Sequence, residues 1–154
     1  MLAILENQVI IQIGIIVKDI EETSLIFSRM FGTEKPQWFW TDPFDKAKTE
    51  YKGNPTHARA KLAFIKLKNV EIELIEPDDK PSTWREHLDT KGEGIHHIAF
   101  VIDGMNQILL ELTEIGMPLI QKGEYTGGRY AYIDSLKDLK VMIELLEHDY
   151  IRPN

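Results

Sequence analysis

Val70-Glu71-Ile72-Glu73-Leu74-Ile75-Glu76 is written a second time near the end of the chain, as Val141-Met142-Ile143-Glu144-Leu145-Leu146-Glu147. A second echo opens each half, Gln12-Ile13-Gly14-Ile15-Ile16-Val17 against His97-Ile98-Ala99-Phe100-Val101-Ile102. Each of the four segments sets a polar side chain able to bind a metal among strand-forming residues. A carboxylate buried in an apolar strand is costly unless it is paired or coordinated. Four such positions, placed alike in two repeats, predict one shared site.

The remaining sequence falls around these segments in the same order twice. The first half reads as a strand from Val9 to Val17, then a helix capped by Asp19 and stopped by Gly32, with Ile20, Ser24, Phe27 and Met30 or Phe31 at helical spacing. A short strand from Gln37 to Trp40 follows, then a loop from Thr41 to Pro55. Ala58 to Leu67 and Val70 to Glu76 form a hairpin across Lys68-Asn69. The second half has a strand from Ile95 to Ile102 and a helix capped by Asp103 and stopped by Gly116, with Met105, Ile108, Leu109, Leu112 and Ile115 along it. Strands at Leu119 to Glu124, Tyr130 to Asp134 and Val141 to Glu147 complete it, with a turn at Gly127-Gly128. Between the halves, Pro77 to Pro81 reads as solvated linker, and Ser82 caps a short helix that turns Trp84 and Leu88 inward. The chain is thus expected to form one α+β domain over residues 1–154: a βαβββ module at 8–77, a second at 93–149, and a linker at 78–92.

Strand alternation sorts the side chains. Val70, Ile72 and Leu74 point one way, as do Val141, Ile143 and Leu145, giving an apolar face suited to lie beneath helices. Glu73 and Glu144 point the other way. Gln12 shares a face with Gly14 and Ile16, and His97 with Ala99 and Val101, so all four polar positions can line one concave surface. By the same alternation His96 is expected on the opposite face, in a packing role. Taken singly, each residue is ordinary: a strand glutamate is usually solvated and a lone buried histidine is usually a hydrogen-bonded core residue. The coincidence of all four is the signal. One amide oxygen, two carboxylates and one imidazole suit a divalent metal in five- or six-coordinate geometry. Such an ion polarises a carbonyl while a ligand carboxylate removes the neighbouring C–H proton, which makes Glu144 and Glu73 the candidate catalytic residues.

The bulk composition excludes other chemistries. At 154 residues, 43% hydrophobic and 28% charged, the chain fits an ordinary globular domain. Its formal net charge of −7 argues against a nucleic-acid partner. Without cysteine it has no disulfide, thiolate nucleophile or Cys-ligated zinc. The apolar N-terminal run is too short to span a bilayer and lacks the marks of a signal peptide, so no membrane partner and a cytoplasmic location are expected.

From Val9 to Glu147 the chain resembles the vicinal oxygen chelate superfamily, whose members pair βαβββ modules into a cup around a metal. Gly92-Glu93-Gly94-Ile95-His96-His97-Ile98-Ala99-Phe100 is similar to the corresponding stretch of methylmalonyl-CoA epimerases, as are Gly127-Gly128-Arg129 and Ile143-Glu144-Leu145-Leu146-Glu147. The resemblance implies a cup-shaped, mostly antiparallel sheet with helices on its outer face. It also implies Gln12, Glu73, His97 and Glu144 as ligands of one divalent ion (zinc, nickel, cobalt or manganese), with Glu144 as acid/base. The implied reaction is isomerisation or epimerisation of a small molecule, an acyl-CoA or glutathione thioester, in a homodimer. Two departures bear on it. Epimerases usually carry His where this chain has Gln12, and Ala58 to Phe64 lacks the second acid that an epimerase can carry there. A Gln/Glu/His/Glu set is similar to one form of glyoxalase I, and bleomycin-type resistance proteins resemble the fold without its ligands. The alternatives are therefore a lactoylglutathione lyase or a metal-free binding protein. Trp38 and Trp40, on one face of their strand, and Arg129, as an anion partner, are the weaker substrate-binding candidates.

Overall fold

In the computed structural model, which describes residues 3–150, both halves fold into strands and helices whose strands join one curled sheet. Residues 1–2 and 151–154, the ends of the expected 1–154 domain, lie outside the described residues. The first half contains β1 (Gln12–Ile16), α1 (Ile20–Phe31), β2 (Phe39–Trp40), α2 (Phe44–Ala47), β3 (Glu50–Tyr51), β4 (Asn54–Pro55), β5 (Ala60–Lys66) and β6 (Glu71–Pro77). After α3 (Thr83–Lys91) come β7 (Gly94–Val101), α4 (Met105–Glu114), β8 (Leu119–Tyr125), β9 (Gly128–Ile133), α5 (Leu136–Leu139) and β10 (Met142–His148). The order across the sheet is β2-β5-β6-β1-β7-β10-β9-β8-β3-β4. β6 runs parallel to β1 and β10 parallel to β7, so the twin strands return beside the first strand of their own half. β1 and β7 meet antiparallel at the centre. The other pairings are antiparallel. The outcome is the expected α+β half-barrel of two βαβββ repeats.

The outer face holds two apolar cores. Ile72 and Leu74 pack with Ala63, Ile65 and Ile20 under α1, and Ile143 and Leu145 with Ala131, Ile133 and Leu112 under α4. Leu74 and Leu145 are wholly buried, each contributing roughly 1.5–3 kcal/mol. The Asp19 carboxylate accepts the Glu22 N–H at 2.9 Å and starts α1, and Gly32 ends it with φ 66°.

The final glutamate of each copy has a matching task. Glu76 accepts the Ile20 N–H at 2.9 Å, at the start of α1. Glu147 accepts the N–H groups of Gly104 and Met105 at 2.7 and 2.9 Å, at the start of α4. This corrects the expected Asp103 cap: Gly104 occupies that position with φ 75° and offers no side-chain oxygen, so β10 supplies the carboxylate.

α1 and α4 lie on the outer face as expected, and α3 is no bare linker: it packs inside the curl, turning Trp84 and Leu88 inward as its sequence predicts. Its Trp84 and Leu88 cover Ile16, Ala60, Ile75, Tyr132 and Met142, and the Trp84 indole N–H donates to the Tyr132 hydroxyl at 3.0 Å. That end of the concave face is apolar and needs cover, which the linker provides. Thr41 to Pro55 is not a plain loop either. It forms α2 and then crosses to the far edge, where β3 pairs with β8. There Tyr51 and Lys52 donate to Glu86 of α3 at 2.6 and 2.9 Å. This pairing joins segments far apart in sequence, so no local pattern announces it. No helix among the described residues is long and apolar enough to cross a membrane.

Candidate metal centre

Four adjacent strands, β6-β1-β7-β10, each contribute one side chain to the middle of the concave face: Glu73, Gln12, His97 and Glu144. All four are buried, His97 completely. From His97 Nε2 the distances are 3.0 Å to Glu144 Oε2, 3.3 Å to Glu73 Oε2 and 3.4 Å to Gln12 Oε1. Donor atoms of Glu73, His97 and Glu144 all lie within 4.8 Å of one another. Neighbouring ligands of an octahedral ion with bonds of about 2.1 Å sit about 3.0 Å apart, so the spacing fits a first-row divalent ion.

The local chain explains the convergence. Gly14 stands in register between Glu73 and His97. With no side chain there, the His97 ring can lie over β1. On the other side, Gln12 Nε2 donates to Glu71 Oε1 at 3.3 Å, which turns the Gln12 oxygen toward the centre. The register of β7 on β1 shifts between Gly14 and Ile15, so that Gly14 faces His97 and Ile15 faces Ile95. His96 is the extra residue of this bulge. A bulge breaks alternation, and this corrects the expected placement of His96 on the outer face. Its Nδ1 lies 2.9 Å from His97 Nδ1, and both rings pack against Tyr132.

The electrostatics describe residues held in an unbalanced cluster. Glu73 Oε2 and Glu144 Oε2 lie within ion-pair reach of His97, yet neither receives a directed hydrogen bond from the described residues. Burial pushes the Glu73 carboxyl up, opposed by its close approach to His97 and reinforced by the charge of Glu144. Burial alone would depress His97, but the charge and close approach of Glu144, together with Glu73, push it up to about 10. Burial, then the neighbouring His97 charge, holds His96 far below the ordinary histidine range. Two buried carboxylates with unfilled lone pairs, an imidazole and an amide oxygen are the donor set a dication satisfies.

The family model for the glyoxalase/bleomycin resistance protein/dioxygenase superfamily matches residues 11–132. The chain belongs to that superfamily. A curated relative, the uncharacterized protein YqjC of Bacillus subtilis (strain 168), is 32% identical over 92 residues, a match spanning 58% of this chain and 66% of the relative. Among solved structures, hypothetical protein BH1468 from Bacillus halodurans C-125 superposes with a TM-score of 0.65 at 22% identity, over 97% of this chain and 100% of that one. The methylmalonyl-CoA epimerase of Mycobacterium tuberculosis gives 0.63 at 21% identity, over 97% and 94%. That of Streptomyces coelicolor, in complex with 2-nitronate-propionyl-CoA, gives 0.62 at 18% identity, over 97% and 100%. At these identities the structural likeness shows a shared fold alone.

The weaker substrate-binding candidates lie elsewhere. Trp38 packs in the outer core beside Phe27, and its indole N–H donates to Glu21 of α1 at 2.7 Å. Trp40 stands edge-on to Trp38, beneath Arg59 and Lys61. Arg129 is engaged by Glu124, Glu147 and Asp149 at 3.3, 3.1 and 2.6 Å. It buttresses the helix-capping Glu147 as Lys61 buttresses Glu76, at 2.8 Å. These positions follow from alternation once Glu76 and Glu147 face outward, because Lys61 and Arg129 stand opposite them in register.

Aromatic residues on the concave face were missed. Phe64 stands opposite Glu73, and Phe39, between the two tryptophans, stacks on it with centroids 5.9 Å apart. The signal was present in the sequence: a two-residue turn at Lys68-Asn69 fixes the hairpin register that brings Phe64 beside Glu73.

Proposed function

We propose that this protein catalyses metal-dependent proton transfer at the carbon next to a carbonyl or thioester, an isomerisation or epimerisation of a small molecule. The observation that carries the reading is the meeting of Glu73, His97 and Glu144 donor atoms, with both carboxylate oxygens lacking a directed hydrogen bond, in the concave face. Gln12, Glu73, His97 and Glu144 would hold a divalent ion of the zinc, nickel, cobalt or manganese class. When bound, it supplies Lewis-acid polarisation of the substrate carbonyl and so lowers the cost of removing the adjacent proton.

The chain's own residues do the rest. Glu144 takes the proton: its Oε2 is buried and receives no directed hydrogen bond, which leaves a lone pair free to act as base. Glu73 holds the equivalent position in the other repeat and supplies a second acid/base. Delivery of a different proton, already held by Glu73, to the opposite face gives epimerisation and leaves Glu144 protonated and Glu73 ionised. Return by Glu144 to a neighbouring atom gives glyoxalase-type isomerisation of a hemithioacetal, the alternative that a Gln/Glu/His/Glu donor set keeps open. Phe64 and Phe39 form an apolar wall for the substituent of the reacting carbon. The solved epimerases with methylmalonyl-CoA or 2-nitronate-propionyl-CoA bound support an acyl-CoA thioester as the substrate class. A cytoplasmic, homodimeric enzyme is the accompanying proposal.

The test is deuterium incorporation at the α-carbon in D2O, across acyl-CoA thioesters and glutathione hemithioacetals, with each of the four ions. Ion-dependent exchange in one class supports the proposal. Tight binding of these compounds without exchange under any ion would replace it with a metal-free binding protein of the same fold.

A further inference from the structure

We infer that His96 is a positioning residue for the metal centre, accepting a hydrogen bond from His97 Nδ1–H and so keeping the His97 Nε2 lone pair turned to the ion; this rests on the metal-site reading above. The two Nδ1 atoms are 2.9 Å apart, and the rings stand nearly perpendicular, at 88°. His96 is 2% exposed and His97 0%, so water cannot easily substitute for either partner. One of the two nitrogens must carry the hydrogen and the other must accept it. If His96 donated, neutral His97 would bear its hydrogen on Nε2, pointed at the oxygens of Glu73, Glu144 and Gln12, with no lone pair to give a cation. If His97 donates, its Nε2 is a ligand and His96 is fixed with its own hydrogen on Nε2.

The backbone is arranged for this contact. A regular strand would put His96 and His97 on opposite faces, and the register shift of β7 at Gly14–Ile15 puts the rings together. Tyr132 touches both rings, at centroid distances of 5.0 and 5.1 Å, and limits their rotation. Metal-ligating histidines ordinarily donate their second N–H to a carboxylate, carbonyl or water. A neutral imidazole in that place orients the ligand without adding a further negative charge to a site that already has Glu73, Glu144 and, behind Gln12, Glu71.

The experiment combines calorimetric titration of the full chain with Zn2+ and ring 15N NMR of the zinc-loaded protein. His96→Phe removes the acceptor, and His96→Asn returns an amide oxygen close to the place of Nδ1. The expected result is a 10- to 100-fold weaker zinc affinity for His96→Phe, substantial recovery in His96→Asn, and a wild-type spectrum with His97 hydrogenated on Nδ1. Unchanged zinc affinity in His96→Phe, or hydrogen on His97 Nε2 in the loaded wild type, overturns the inference and leaves the metal site standing. Wild-type protein that binds none of Zn2+, Ni2+, Co2+ or Mn2+ overturns the metal reading itself, and this inference with it. The NMR measurement needs no variant, so it decides the matter even if His96→Phe fails to fold.

Discussion

Gly14 and His97 face each other across the central strand pair, and a β-carbon on Gly14 would fall 2.0 Å from His97 Cε1. The ring occupies the space a side chain would need. Tyr132 and His96 close off its other sides, so it has little room to retreat. Gly14→Ala is therefore expected to cost about 1–3 kcal/mol as an overpacked substitution and to lower zinc affinity at least tenfold by displacing Nε2. Thermal melts and calorimetry on the same preparation check both. A variant that is stable and binds zinc as the wild type does would show that the His97 ring does not need its seat over β1.

Glu144 and Glu73 occupy equivalent places in the two repeats, but the proposed chemistry uses them unequally. Glu144→Ala should reduce ion-dependent α-proton exchange by on the order of 10^2- to 10^4-fold, with the far-ultraviolet circular dichroism unchanged. Glu144→Gln keeps an oxygen for the ion but removes the base, so it should separate binding from exchange. Exchange retained in either variant, with metal bound, would take Glu144 out of the proton-transfer step.

Much of this was legible because the repeat carries two glutamates three residues apart. On a strand that spacing sends Glu73 and Glu144 inward and Glu76 and Glu147 outward, and the structure uses the outer pair on helix starts. That Gln12, Glu73 and Glu144 converge on one face could be read from alternation because the segments of β1, β6 and β10 that carry them are regular. His96 could not, since one inserted residue in β7 reverses the parity that the inference relies on. The position of α3 inside the curl, and the pairing of β3 with β8, depend on contacts between distant segments. Which face Trp38 and Trp40 take depends on where the outer core needs filling: Trp38 packs there beside the small Ala63.

The raised pKa of His97 gives a pH dependence with a definite sign. Its value in the folded protein, about 10, stands above the ordinary 6.5. The chelator-treated protein therefore gains stability from protonated His97 that is full below pH 6.5 and is lost as pH rises toward 10. Metal binding displaces that proton, so zinc affinity should rise with pH across the same window, by about tenfold per unit for one proton released. Calorimetry in buffers of different ionisation enthalpy counts the protons. A count near zero at pH 7.5 would mean that His97 is already neutral there.

The proposed wall of the site is Phe39 and Phe64, while Trp38 and Arg129 engage Glu21 and Glu147 on the outer face, and substitutions can separate the two. Phe39 is half exposed and stacked on Phe64, so Phe39→Ala should cost little stability. It should raise KM roughly tenfold for thioesters with a bulky apolar substituent, a loss of about 1.4 kcal/mol, in the range of an aromatic contact plus its buried area. Small substrates should be affected less, because they do not reach the ring. Trp38→Phe removes an indole N–H held by Glu21 at 2.7 Å, and Arg129→Gln releases the carboxylate that starts α4. Both should lower the melting temperature by a few degrees, since about 1 kcal/mol corresponds to roughly 2–4 °C in a domain of this size, and both should leave KM unchanged. The reverse result, with KM moved by Trp38 or Arg129 and not by Phe39, would mean that substrate approaches from the outer face, and the concave site would lose its claim to the chemistry.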